Sequence, residues 1–175
     1  MRNSSLKGKI MKLNNEVAME FDRPRYADFP EFKPDLSPLA MAKLGVFGGS
    51  YFSDDIDDCS GIPDEIVALQ NHSKNKQRNA FGVHSGLSRE DWDKRGWLTS
   101  DNPRGWYQWY CRFHEGQRFP EDQDQIDRWK DFKNRWSPKS TQALKNMNPK
   151  AGTRQALLHW GIDPYTPEKS AMQKN

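Results

Sequence analysis

The chain has 175 residues, of which 34% are hydrophobic and 29% charged, and its formal charge is +3 from 27 Lys and Arg against 24 Asp and Glu. That length suits one domain able to bury roughly two thirds of its unfolded surface, and the near balance of charge excludes a blanket electrostatic field for polyanions. No apolar run approaches the roughly 20 residues of a membrane span.

The N-terminal stretch is basic, but Gly8, Asn14 and Asn15 interrupt its amphipathic pattern, which argues against a peripheral membrane helix. Residues 22–38, "DRPRYADFPEFKPDLSP", interleave four prolines with Tyr26, Phe29 and Phe32. Proline disfavours regular helix and leaves the backbone extended, so this segment reads as a strap whose aromatic rings pin it to the body. Expected boundaries are an N-terminal region over 1–38, a helical core over 39–163 and a mobile polar tail over 164–175.

The core opens with a short helix through Leu39, Met41 and Leu44, broken at the Gly48-Gly49 pair. A glycine pair makes a tight turn whose NH groups can face an anion, although it matches no phosphate-loop or dinucleotide fingerprint. Four aspartates within "SDDIDDCS" lack the order of a calcium loop and read as a solvated acidic loop. A helix is expected from Pro63, anchored by Ile66, Val67 and Leu69, followed by the polar, basic loop "NHSKNKQRN", which is suited to meeting phosphate. Ser88 and Asp91 form a reciprocal N-cap for a helix stopped at Gly96, with Trp97 closing the turn.

In "NPRGWYQWYCRFHEG", Asp101 or Asn102 is the expected cap, Pro103 lies in the first turn and Gly116 ends the helix. Trp106, Trp109, Tyr110 and Phe113 fall at i, i+3, i+4 and i+7, the spacing of a core stripe. Arg104, Gln108 and Arg112 repeat every four residues on an adjoining face, which is the face expected to look into a site. A second long helix carries Ile126, Trp129, Phe132, Lys133 and Trp136 and is expected to stop at Pro138, with a separate short helix in "STQALKNM". The last helix, "TRQALLHW", is capped by Thr153, buries Ala156, Leu157 and Trp160, and ends at Gly161. No segment alternates with period two, so the expected class is all-α, a small mainly α-helical domain with an extended Pro/aromatic arm.

Taken in order, "GVFGG" at 45–49, "NPRGWYQWYCRFHEGQR", "QIDRW" and "RQALLHW" resemble a protein family of fungi, plants and bacteria or their viruses that has no established activity. The resemblance covers roughly residues 40–163. It implies importance for Gly48, Gly49, Arg104, Gly105, Trp106, Gln108, Trp109, Tyr110, Arg112, Gln125, Arg128, Trp129, Arg154 and Gln155. The resemblance implies an arginine ahead of the position of Arg118, whereas this chain has Gln117, a departure that puts a doubly basic anion clamp there in doubt.

Three functional readings follow. The first is a nucleic-acid-binding or nucleic-acid-processing accessory protein, intracellular and located in the cytoplasm or in a eukaryotic nucleus. Its arginine-rich site would comprise Arg104, Gln108, Arg112, Arg118, Arg128, Arg154 and Gln155 with Gly48 and Gly49, since arginine forks onto phosphate and stacks on bases. DNA and RNA are both open. The second is an enzyme acting on a nucleotide, modified base or other anion, with His84, Asp101 and His159 as acid-base groups and His114 and Asp124 in reserve. The third is a structural or protein-interaction module, with the proline-aromatic arm as its docking segment. No motif asks for a cofactor. Cys59 and Cys111 are far apart and read as free thiols, and no histidines have metal-ligand spacing.

Overall fold

A computed structural model describes residues 23–52, 59–145 and 151–165, and the side chains within that range except those of 138–145. The basic N-terminal stretch, the acidic loop at 53–58, much of the "NPKAGT" turn and the tail from 166 lie outside the described residues. Among the described residues the fold is all-α, with six α-helices: α1 (Pro38–Leu44), α2 (Asp64–Gln70), α3 (Arg89–Lys94), α4 (Trp106–His114), α5 (Asp122–Lys145) and α6 (Ala151–His159). Short 3-10 turns occupy Phe47–Gly49 and Lys76–Arg78. No described helix is long and apolar enough to cross a membrane.

The domain is built around α4, in which every residue from Trp106 to Phe113 is buried. The aromatic stripe therefore lies in the core as its spacing predicts, but the other faces are enclosed too. Phe32 of the arm is fully buried, with its ring centroid 5.1–6.3 Å from those of Trp106, Trp109, Tyr110, Phe113 and Trp129. Tyr26 stacks on Phe32 and Phe29 meets Phe113, so the strap supplies part of the core. Polar links reinforce it: Arg118 pairs with Asp28, Arg23 with Asp35, and the Tyr110 hydroxyl donates to the Leu36 carbonyl.

Several helix ends differ from the sequence expectation. α4 starts at Trp106 rather than near Pro103, with Gly105 at the N-cap position and φ of 110°. Gln108 Oε1 reaches back to accept the Arg104 N–H, and the Tyr51 hydroxyl accepts the Gln108 N–H while donating to the Arg104 carbonyl. A residue far away in sequence thus does the work of a local cap, satisfying amides that a helix start leaves open. Thr153 is not a cap, because α6 already begins at Ala151 and Thr153 is buried within it. Pro138 does not stop α5, which runs on to Lys145 and takes in residues 140–145 of the separately expected short helix. Proline removes one donor, but its fixed φ of about −65° is helical.

α2 begins at Asp64, with Pro63 just ahead of it, and Leu69 is 40% exposed rather than an anchor. Gln70 takes the inward place instead, donating to the Val46 carbonyl and accepting from Tyr51 N–H. α3 follows expectation: Ser88 Oγ accepts the Asp91 N–H at 3.1 Å, and Trp97 N–H closes onto the Trp92 carbonyl. Gly116 and Gly161 sit at φ of 100° and 69° just past α4 and α6. The buried chain continues to Tyr165, beyond the expected start of the tail. Arg154 donates to the Pro164 carbonyl at 2.6 Å and lies over the Tyr165 ring.

Candidate functional site

The sharpest backbone feature is at "GVFGG". Phe47, Gly48 and Gly49 have φ of 54°, 63° and 75°, three left-handed residues in succession. For Phe47 that conformation costs roughly 1–2 kcal/mol. Local contacts offset it: the Phe47 N–H donates to His159 Nε2 at 3.2 Å, and its ring centroid lies 4.4 Å from His159, 4.7 Å from Tyr51 and 5.0 Å from Tyr107.

The basic loop after α2 is laid across this turn. The His72 N–H donates to the Gly49 carbonyl, the Asn75 N–H to the Gly48 carbonyl and the Ala80 N–H to the Gly45 carbonyl. Asn79 is buried, accepts the Gly48 N–H at 2.7 Å and donates to the Val83 carbonyl. The glycines permit this approach. A Cβ on Gly48 would sit 3.1 Å from the Asn75 nitrogen, one on Gly49 would sit 2.6 Å from Arg78 Cδ, and one on Gly45 would overlap the Arg78 carbonyl oxygen. Lys74, Lys76 and Arg78 are thereby presented on an exposed loop, the Lys74 and Arg78 stems lying against Gly48 and Gly49, and none makes an ion pair among the described residues.

The expectation that the glycine turn offers its own NH groups to an anion is not met. Every amide from Phe47 to Tyr51 already has an internal acceptor: His159, Asn79, the Val46 carbonyl, the Phe47 carbonyl and Gln70 respectively. The turn is a platform for the basic loop rather than an anion cradle.

The expected arginine face does not form one surface. Arg104, Arg112 and Arg154 are buried and bonded to protein carbonyls. Arg104 donates to the Tyr51 carbonyl at 2.8 Å; Arg112 bridges the Ser60 and Asp101 carbonyls and the Asn102 side chain. Gln108 is consumed in capping α4. A guanidinium has five donors in a fixed fork, so once enclosed it gathers irregular backbone, and here it ties loops to α4. Arg118 is bound to Asp28 and lies over the Phe113 ring, while Arg128 donates to Gln125 Oε1 and faces Trp97. Gln155 links α6 to the platform through the Phe81 N–H, the Gly45 carbonyl and His159.

The candidate acid-base residues are dispersed in the same way. His84 and Asp101 are exposed on separate loops, whereas His159 is 6% exposed beneath Phe47. Burial, with the Lys74 charge acting in the same direction, depresses the His159 pKa to about 3. It is therefore a neutral acceptor for the Phe47 amide at physiological pH. His114 is exposed at the end of α4, with Nδ1 2.8 Å from the Tyr26 hydroxyl, and Asp124 is exposed in the first turn of α5. Among the described residues no three His, Cys, Asp or Glu side chains are grouped as metal ligands.

The depressed His159 pKa carries a stability consequence. The unfolded chain takes up a proton near pH 6.5 and the folded chain does not until about 3. The stabilising contribution is complete above pH 6.5 and is lost as pH falls, by about 1.4 kcal/mol per pH unit at most within that window. His159→Gln, which keeps an acceptor near Nε2, is expected to flatten the acid side of the stability profile in urea unfolding. An unchanged slope between wild type and variant would contradict this role.

Sequence reasoning picked out the basic loop and the glycine pair separately but did not join them. It missed Asn79, Tyr51 and Gln70, whose signal is only that polar side chains flank a glycine turn. No protein-family model, curated protein or solved structure matches the chain, so the arrangement of platform and loop is the basis for a functional reading.

Proposed function

We propose that this chain is a nucleic-acid-binding accessory protein that meets the phosphate backbone with the Lys74–Arg78 loop. The observation that carries the reading is the platform: three exposed cations on one short loop, without ion pairs among the described residues, anchored on a strained turn and a buried histidine. Strained backbone persists where the surroundings over-determine it, and such sites cluster at functional positions. Holding cations in advance lowers the ordering cost of binding a polyanion. Cysteines at 59 and 111 that are not joined in a disulfide suit a reducing interior, cytoplasmic or nuclear.

The test is retention of labelled single- and double-stranded oligonucleotides across a salt series. The exposed Lys74→Gln/Lys76→Gln pair is expected to leave the unfolding midpoint unchanged. It should reduce the slope of log affinity on log salt by about 0.7–0.9 per charge removed. Binding with an unaltered slope in the double variant, or no binding by the wild-type chain at low salt, would sink the proposal.

A further inference from the structure

Resting on the nucleic-acid reading, we infer that Arg78, packed across Gly49 beside His72, forms one preorganised site for a single phosphate group, while Lys74 and Lys76 supply only general charge. The distinction comes from the closer seat of Arg78 and from its planar fork, since the Lys74 stem also rests on a glycine, with Cγ 3.1 Å from the Cβ position of Gly48, but ends in a point charge. Gly49 leaves the space a Cβ would fill, and Arg78 passes through it: that position lies 2.6 Å from Arg78 Cδ and 3.5 Å from Nε. His72 Cδ2 lies 3.6 Å from the same point, so the two side chains converge on one glycine.

The Arg78 backbone is fixed as well. Its N–H donates to the Asn75 carbonyl, Asn75 caps the 3-10 turn by accepting the Gln77 N–H, and the Arg78 carbonyl is packed against Gly45. Arg78 is exposed, and its guanidinium donates to no carboxylate or carbonyl among the described residues. This contrasts with Arg104, Arg112 and Arg154, which are buried and each donate to protein carbonyls.

A stem held on glycine with a solvent-facing fork has lost much of the freedom that an arginine gives up on binding, and its planar donors match two phosphate oxygens. Lysine keeps the charge but not the fork. The site is therefore expected to separate Arg78→Lys from wild type, which a purely electrostatic loop would not. The phosphate can be an internal phosphodiester or a strand end, since both present paired oxygens.

The experiment compares wild type, Arg78→Lys and Arg78→Gln in binding a labelled oligothymidylate with and without a terminal phosphate over a salt series. Arg78→Lys is expected to weaken binding about tenfold while keeping the salt slope, the size of effect expected for losing a bidentate, charge-assisted contact. Arg78→Gln should weaken it further and lower the slope by about one charge. A loss confined to the phosphorylated oligonucleotide assigns the strand end; an equal loss in both assigns the backbone. Arg78→Lys binding as well as wild type overturns the site while leaving the general reading intact. Inorganic phosphate provides an arm independent of nucleic acid: saturable NMR shifts of the Arg78 Nε–H and the His72 ring are expected, and resonances that do not move overturn the assignment.

Discussion

Phe32→Ala should be among the most damaging single substitutions in the chain, lowering unfolding free energy by about 3–5 kcal/mol. The ring is fully buried among five aromatic side chains of α4 and α5 and is also stacked on Tyr26 at 5.3 Å. Truncation removes its transfer free energy and leaves a void whose walls are large, rigid rings already in contact with one another, which limits relaxation. The half-buried Phe29 touches Phe113 from the rim, so Phe29→Ala should cost much less. Urea unfolding of both variants decides the matter. Losses below about 1 kcal/mol for Phe32→Ala would mean that the arm covers the core without belonging to it.

Gly45→Ala is expected to cost more than about 3 kcal/mol and to abolish the anion binding proposed above, because two penalties coincide at one residue. Its φ is 88°, a left-handed conformation that a side chain resists, and its Cβ would overlap the Arg78 carbonyl oxygen. Gly86 separates the two contributions. It has nearly the same φ, 90°, but a Cβ there meets nothing within 4 Å. Gly86→Ala should therefore show the conformational penalty alone, about 1 kcal/mol, and preserve binding. Equal destabilisation by the two alanines would show that the approach of the basic loop to Gly45 contributes nothing. The Gly45 carbonyl also receives the Ala80 N–H and the Gln155 side chain, so a shift there disturbs both the loop and α6.

Periodicity and local chemistry determined the helical class, the aromatic stripe of α4, the Ser88 cap and the glycine stops after α4 and α6, because these depend on residues within a few positions of one another. The aromatic rings of the arm also marked it as a strap, since large apolar groups in a chain with few of them must be buried. Tertiary structure alone decided which polar residues are structural. Arg104 and Arg112 have the spacing of an exposed face, yet enclosure of α4 on all sides turned their donors toward the Tyr51, Ser60 and Asp101 carbonyls. It likewise joined Gly45, Gly48 and Gly49 to the loop at 72–80, about 30 residues away. Spacing records which residues share a face of one helix, but not what packs against that face, and whether a guanidinium meets solvent or a carbonyl depends on the packing.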